Sequence, residues 1–163
     1  MNESNDLSLT KRLADAMLLN RYTLVTAESC TGGGIAQNLT SIAGSSQWFD
    51  RGFVTYSNES KQEMLSVSVD ILTMFGAVSE ECAGAMVEGA LNKSHADIGV
   101  SVTGIAGPDG GTEDKPVGTV CFGWRQRDRE TLTTRIVFAG NREEVRQQSV
   151  LMALQGLLDL LEV

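Results

Sequence analysis

The feature that most constrains this chain is the repeated alternation of short β-branched runs with stretches of helical periodicity. The run Y-T-L-V-T-A at 22–27 leads into T-G-G-G-I-A-Q-N-L at 31–39, where the spacing of apolar residues becomes helical. The same unit recurs where F-V-T-Y at 53–56 leads into N-E-S-K-Q-E-M-L at 58–65. Strands that alternate with helices in this way predict an α/β fold.

The rest of the chain extends this pattern and adds one hairpin. Helices are predicted at 7–19, 79–93 and 142–161, with a connector at 70–78. A third strand is predicted at 96–103, and the runs 117–124 and 132–138 flank a polar turn, as in a β-hairpin. Together they predict a three-layer α/β/α sandwich around a mixed sheet of about five strands. At 163 residues without a linker, the chain is expected to form one domain over 1–163.

Charge and cysteine content limit the partners. The formal net charge of -8 disfavours a nucleic-acid partner, because a phosphate backbone would be repelled, whereas a small anionic ligand is still compatible. Cys30, Cys82 and Cys121 are far apart and lack zinc-site spacing, which fits a reducing cytoplasm. The polar, acidic start of the chain and the lack of a long apolar run predict neither a signal peptide nor a membrane span. A homo-oligomer such as a dimer is left open.

The stretch T-A-E-S-C-T-G-G-G at 26–34 is the first candidate site. Ser29 and Cys30 fall where the first strand gives way to its helix, and ligands of open α/β sheets gather at such strand ends. Gly32 and Gly33 would let backbone N–H groups approach a phosphate or an oxyanion. The alternative is that these glycines only make a tight turn.

Polar clusters at two further strand ends strengthen the functional interpretation. Tyr56, Asn58 and Lys61 follow the second strand, and Thr103 with a glycine-rich loop follows the third. We expect these clusters to converge with Ser29 on one edge of the sheet. His95 precedes the third strand and is therefore expected at the opposite end, as a solvated loop residue, which argues against a Ser-His-Asp triad.

Lys61 is the better candidate for a general base. If Asn58 caps the helix, Lys61 lies in the first turn, where the helix dipole and desolvation both disfavour the ammonium form. Tyr56 could relay the proton or orient the amine. The alternatives are a solvated lysine and a packed tyrosine with a wet hydroxyl.

The choice between Ser29 and Cys30 as the nucleophile depends on position more than on chemistry. Cysteine is the stronger nucleophile, and a helix N-terminus lowers its pKa. Adjacent side chains point apart in an extended segment, however, so only one is expected to face the cleft, and Cys30 could instead be a buried apolar residue. The sequence alone slightly favours Ser29.

Four motifs resemble the CinA C-terminal domain family over nearly the whole chain. They are T-A-E-S-C-T-G-G at 26–33, G-F-V-T-Y-S-N-E-S-K at 52–61, G-A-V-S-E at 76–80 and S-V-T-G-I-A-G-P-D-G-G-T-E-D-K-P-V-G-T-V at 101–120. The chain is most similar to the family's stand-alone nicotinamide-nucleotide amidases. The resemblance implies a mixed five-stranded three-layer sandwich. It also implies hydrolysis of nicotinamide mononucleotide to nicotinate mononucleotide and ammonia in bacterial pyridine-nucleotide salvage, without a metal or other cofactor.

The resemblance also implies which residues form the site. Ser29 and Lys61 would be the catalytic pair, with Tyr56 and Thr103 lining the same site, and backbone N–H groups near Thr31 to Gly33 would hold the oxyanion. The nucleotide phosphate is expected at the loop 107–112 or at Arg142 and Arg146, although the acidic residues of that loop argue against a pure phosphate cradle. The full expected substrate-binding set is Cys30, Thr31, Gly32, Gly33, Asn58, Thr103, Gly104, Gly110, Gly111 and Arg142.

Two other functions have less support from the sequence. A regulatory module that binds a pyridine nucleotide without turnover would keep the glycine loops but lose the serine or the lysine, and both residues are present. A metal-dependent hydrolase has little support from a sequence with one histidine and no clustered H-x-x-H or D-x-D motif.

Overall fold

The computed structural model of the protein describes residues 3–162, so residues 1, 2 and 163 of the predicted domain lie outside the described part. The helices are α1 (Glu3–Asn20), α2 (Gly34–Thr40), α3 (Asn58–Leu65), α4 (Val69–Met74), α5 (Glu80–Asn92) and α6 (Arg142–Leu161). The strands are β1 (Leu24–Glu28), β2 (Phe49–Val54), β3 (Ile98–Gly104), β4 (Thr119–Gln126) and β5 (Leu132–Val137). Among these described helices, none has the length and apolar character needed to cross a bilayer.

The strands form one mixed sheet in the order β2-β1-β3-β4-β5. β1 runs parallel to both β2 and β3, while β4 is antiparallel to β3 and β5. The central strands β1 and β3 are buried along nearly their whole length, whereas the edge strands β2 and β5 are largely exposed. The predicted mixed five-stranded sheet is therefore confirmed.

Helices cover both faces of this sheet. On one face, α1, α2 and α6 pack over a core that includes Leu13, Met17, Val100 and Leu154. On the other face, α5 lies across the central strands, and α3 and α4 pack against α5. These two apolar layers make the α/β/α sandwich and orient the carboxyl ends of β1, β2 and β3 toward the same edge.

Most predicted segments differ from the observed ones only at their ends, and two differ by more than that. β2 covers Phe49–Val54 rather than 53–56: the Thr55 N–H still donates to the Glu28 carbonyl of β1, but Thr55 and Tyr56 have no paired residue there and lead into α3. The predicted connector 70–78 contains the short helix α4, whose N-cap Ser68 accepts a hydrogen bond from the N–H of Ile71. Serine before an acidic first turn is a capping signal that the connector prediction did not use.

Gly89 sets how closely α5 can approach α3, the helix that carries Lys61. A Cβ atom at this position would lie 2.0 Å from the carbonyl oxygen of Leu65. We expect Gly89→Ala to reduce the free energy of unfolding by about 1–3 kcal/mol through overpacking, measured by denaturant titration. Gly84→Ala on the same helix is the control, because its Cβ would meet only ordinary contacts at 3.5 Å or more. Equal stabilities of the two variants would contradict the close approach.

Candidate active site

The strand ends that the sequence analysis singled out meet at one cleft of about 280 Å³. It lies at the carboxyl ends of β1 and β3 and beside the start of α3. Its lining residues are Ser29, Cys30, Tyr56, Asn58, Lys61, Ala77, Val78, Thr103, Gly104, Ile105, Ala106, Gly107, Asp109, Gly110 and Arg142. His95 is exposed and precedes β3, at the other end of the sheet.

Ser29 and Lys61 are in direct contact in this cleft. The Nζ atom of Lys61 lies 3.0 Å from Oγ of Ser29, and the two side chains come from segments 32 residues apart. Nζ also lies 2.9 Å from the carbonyl oxygen of Thr55 and 3.3 Å from that of Tyr56. Because β2 ends at Val54, both carbonyls belong to the turn before α3 and point back at the amine.

The surroundings of Lys61 favour its neutral form. Only 1% of the residue is exposed, and no carboxylate pairs with Nζ among the described residues. Desolvation by this burial lowers the pKa of Lys61 below the ordinary 10.5, while the neighbouring Cys82 and Cys30 thiols oppose the shift. The dominant cause is thus burial rather than the helix dipole.

Cys30 also contributes to the lining of the cleft, beside Ser29. Cys30 is nevertheless 6% exposed and packs with the apolar core on the α6 face. Burial raises the pKa of the Cys30 thiol to about 12. A thiol in this environment stays protonated at neutral pH and is a poor nucleophile.

The cap of α3 differs from the predicted one. Ser57 is the N-cap residue, and its side chain accepts a hydrogen bond from the N–H of Ser60. Asn58 is the first helical residue and lines the cleft. The Lys61 N–H donates to the carbonyl of Ser57, so Lys61 still falls at the first turn.

Tyr56 contacts the site in two ways. Its backbone carbonyl accepts from Lys61, whereas its side chain is 62% exposed and its hydroxyl accepts from Arg142 at 3.2 Å. Arg142 also donates to the carbonyl of Gly107 at 2.8 Å, which ties the start of α6 to the glycine-rich loop. The tyrosine hydroxyl therefore faces the arginine at the cleft mouth rather than the lysine.

Four predicted binding residues do not line the cleft: Thr31, Gly32, Gly33 and Gly111. The Gly32 N–H donates to the carbonyl of Ser29, and the Thr31 hydroxyl donates to the carboxylate of Glu28. Gly33 takes a φ of 102°, a left-handed conformation suited to glycine, as the N-cap of α2. This part of the glycine stretch makes the turn and does not form an open anion cradle.

Arg146, the second arginine considered for the phosphate, also lies outside the cleft lining. Its guanidinium donates to the carbonyl oxygens of Cys30 and Thr31, at 3.2 Å in each case. Arg146 therefore braces the turn that carries Ser29.

Thr103, a predicted site residue, is buried in the cleft wall, and its hydroxyl donates to the carbonyl of Ala77, which holds the segment before α5 against the end of β3. The apolar wall, which was not predicted, consists of Ala77, Val78, Ile105 and Ala106. All four lie within motifs quoted above, but small apolar residues in loops carry no chemical signal of their own. Asp109 adds an exposed carboxylate to the rim.

No metal site is evident in the part of the chain that the structure covers. Within residues 3–162, no three side chains of the His, Cys, Asp and Glu types are grouped so that they could hold a metal ion. The polar groups that the cleft offers are hydroxyls, an amine, an amide, an arginine, the Asp109 carboxylate and backbone groups.

Comparisons with known proteins identify the family and agree with this fold. The family model of the CinA C-terminal domain matches residues 6–161. The curated nicotinamide-nucleotide amidohydrolase PncC of Escherichia coli K12 is 49% identical over 157 residues, covering 96% of this chain and 95% of that protein. The protein of the same name from Pseudomonas putida is 48% identical over 153 residues, covering 94% and 95% of the two chains.

A solved structure gives the same result. The crystal structure of the competence/damage inducible protein CihA from Agrobacterium tumefaciens superposes with a TM-score of 0.95 at 43% identity, covering 100% of this chain and 99% of that one. The chain therefore belongs to the CinA C-terminal domain family.

Proposed function

We propose that the protein hydrolyses the carboxamide of nicotinamide mononucleotide, giving nicotinate mononucleotide and ammonia. The observation that carries the proposal is the 3.0 Å contact between Lys61 Nζ and Ser29 Oγ in the cleft. The substrate is drawn from the relatives whose printed name is nicotinamide-nucleotide amidohydrolase, at 49% identity over 96% of this chain.

The hydrogen bonds of Lys61 explain how it would act as a base. A neutral amine has two N–H donors and one lone pair. The carbonyls of Thr55 and Tyr56 accept the two donors, so the lone pair is left to accept the Ser29 proton. Two backbone acceptors thus orient the amine, and burial supplies its neutral form.

The reaction would proceed through an acyl-enzyme. As Lys61 takes the Ser29 proton, Oγ bonds to the amide carbon. The lysine then gives that proton to the departing nitrogen, the C–N bond breaks, and ammonia leaves. Water attacks the ester carbon with Lys61 again as base, and the carboxylate and the Ser29 hydroxyl are released.

The hydrogen bonds of the turn bear on the choice of oxyanion donor. The Gly32 N–H donates to the Ser29 carbonyl, whereas the N–H groups of Cys30, Thr31 and Gly33 donate to no protein acceptor in the described part of the chain. Of these three residues, only Cys30 lines the cleft, and it directly follows the nucleophile. We assign the oxyanion to the Cys30 N–H; such a donor is worth on the order of 10²- to 10³-fold in kcat when it is correctly placed.

The remaining walls suit the two ends of a pyridine nucleotide. The pyridine ring would pack on Ala77, Val78 and Ile105, beside the reacting serine. The phosphate would meet Arg142 and the Tyr56 hydroxyl at the mouth, where the side chains are exposed enough to accommodate a hydrated anion. Asn58 and Gly110 complete the rim.

Ammonia release from nicotinamide mononucleotide in the presence of a chelator tests this function. We expect stoichiometric nicotinate mononucleotide by chromatography, with an unchanged rate when EDTA is present, because none of the proposed steps uses a metal. The Ser29→Ala variant serves as the blank. If the folded protein binds the nucleotide tightly but forms no product over a range of pH, the non-catalytic binding module is favoured instead.

The cellular setting belongs to the same proposal. Cys30, Cys82 and Cys121 are all free and buried, which fits a reducing cytoplasm. The oligomeric state, a dimer for example, stays a prediction that light scattering would test.

A further inference from the structure

Glu28 is a buried acid that the proposed reaction does not use. It is the last residue of β1, directly precedes Ser29, and is 1% exposed. It does not line the cleft. Burying a carboxylate is costly unless its oxygens are hydrogen-bonded, so its partners indicate what it does.

Three donors converge on this carboxylate. Oε1 accepts from the Thr31 hydroxyl at 2.6 Å and from the Ile35 N–H at 2.8 Å, and Oε2 accepts from the Ala36 N–H at 3.1 Å. Both oxygens act only as acceptors, which is the pattern of an ionised carboxylate. The amides belong to the first turn of α2, whose N-cap Gly33 has no side chain to accept them.

The Glu28 carboxylate therefore closes a hydrogen-bonded ring of the chain that includes Ser29. The ring runs along the chain from Glu28 through Ser29 and the turn to Ile35, and returns through the hydrogen bond to the Glu28 side chain. The sheet fixes the start of this ring, because the Ser29 N–H donates to the Val102 carbonyl and the Thr55 N–H donates to the Glu28 carbonyl. Arg146 holds the outer side through the carbonyls of Cys30 and Thr31.

This arrangement changes the role of the helix terminus. A negative charge at the N-terminus of α2 uses the amides and the positive dipole end that would otherwise attract an anionic ligand. The first-turn amides of α2 thus bind the Glu28 carboxylate, and the Cys30 N–H, whose residue lines the cleft, is left for the oxyanion.

We propose that Glu28 is a positioning residue whose buried carboxylate fixes the Ser29 turn, and with it the Cys30 N–H, in the geometry needed for attack. This inference rests on the proposed function. The carboxylate acts through Thr31 and α2 and touches neither substrate nor Lys61. A misplacement of the reacting groups by about 1 Å costs on the order of 10²-fold in rate.

The test compares Glu28→Gln with the wild type in two reactions. The first is hydrolysis of nicotinamide mononucleotide, with kcat and KM measured separately. The second is labelling by a fluorophosphonate, in which Ser29 Oγ displaces fluoride from phosphorus, followed by intact mass. We expect Glu28→Gln, whose amide presents an N–H to one of the donors, to lower kcat and the labelling rate by about 10- to 100-fold with a nearly unchanged KM.

Matched variants separate positioning from folding. Glu130→Gln makes the same chemical change at an exposed position and should behave as the wild type. Thr31→Val removes one donor while keeping the side-chain shape, and should lose on the order of 10-fold; Thr31→Ser restores a hydroxyl and should recover most of that loss. Circular dichroism identifies the folded variants. If Glu28→Gln does not fold, the comparison of Thr31→Val with Thr31→Ser tests the inference instead.

The outcomes distinguish this inference from the proposed function. Wild-type labelling without nucleotide hydrolysis would reject the substrate but leave the labelling rates to test Glu28. Folded Glu28→Gln and Thr31→Val that match the wild type in both reactions would overturn the inference. An equal loss in Thr31→Ser and Thr31→Val would also overturn it, because the hydroxyl would then be irrelevant. A wild type inert in both reactions would remove Ser29 as nucleophile and this inference with it.

Discussion

Ser29→Ala is expected to lower kcat for nicotinamide mononucleotide by about 10⁴-fold or more, as removal of a serine nucleophile does in other hydrolases. The reason is that Oγ of Ser29 is the atom held against Lys61, and alanine leaves nothing to form the acyl-enzyme. Substrate affinity should change little, since the apolar wall and Arg142 are intact. Ammonia release gives kcat, and calorimetry with the unreacted nucleotide gives the dissociation constant.

Cys30→Ala is the matched control for this experiment. Cys30 lies beside Ser29 in the lining of the same cleft, but burial raises the pKa of its thiol to about 12, so the thiol is protonated at neutral pH. We expect Cys30→Ala to keep most of the wild-type kcat. Loss of turnover in Cys30→Ala with activity retained in Ser29→Ala would assign the nucleophile to the cysteine and overturn the serine mechanism.

The fold was predictable from the sequence because helices and buried strands have different apolar periods. Helix α3 was predicted with its observed bounds, and so was α6. β2 was misplaced because F-D-R-G at 49–52 has poor strand propensity. Pairing with β1 decides its position: a Cβ at Gly52 would lie 2.6 Å from Thr26 Oγ1, so glycine is suited to this close approach in the ladder.

Site residues were predictable only where a polar or reactive residue lies at the end of a predicted strand. Ser29, Lys61 and Thr103 follow parallel or adjacent strands, and that rule brings them together without knowledge of any loop. Whether the side chains of Glu28 and Thr31 meet depends instead on the backbone conformation at Gly32 and Gly33, which both have positive φ. No periodic pattern reports such a turn, so the sequence left open both an anion cradle and a tight turn, and the structure has an internally hydrogen-bonded turn.

Lys61→Arg is expected to lower kcat by about 10²-fold or more. Arginine keeps the positive charge but is not deprotonated in proteins, so it cannot accept the Ser29 proton. In the wild type, burial lowers the pKa of Lys61 below 10.5. The neutral fraction therefore rises with pH through this lowered value, and kcat/KM should rise with it and level off below the pH at which an ordinary lysine titrates. Steady-state rates over a range of pH give the profile.

Lys61→Met separates a base from a fixed charge. Methionine has a similar length without the amine, and fits a side chain that is 1% exposed. If Lys61 is the base, both variants lose turnover and the rise with pH; if it only supplies charge, Lys61→Arg keeps turnover and Lys61→Met loses it. Lys11→Arg, at an exposed position on α1, is the control for the lysine-to-arginine change. Near-normal kcat and an unchanged pH profile in Lys61→Arg would reject the lysine as base. Tyr56 would then be the next candidate, although its hydroxyl faces Arg142 and only its carbonyl reaches the Lys61 amine.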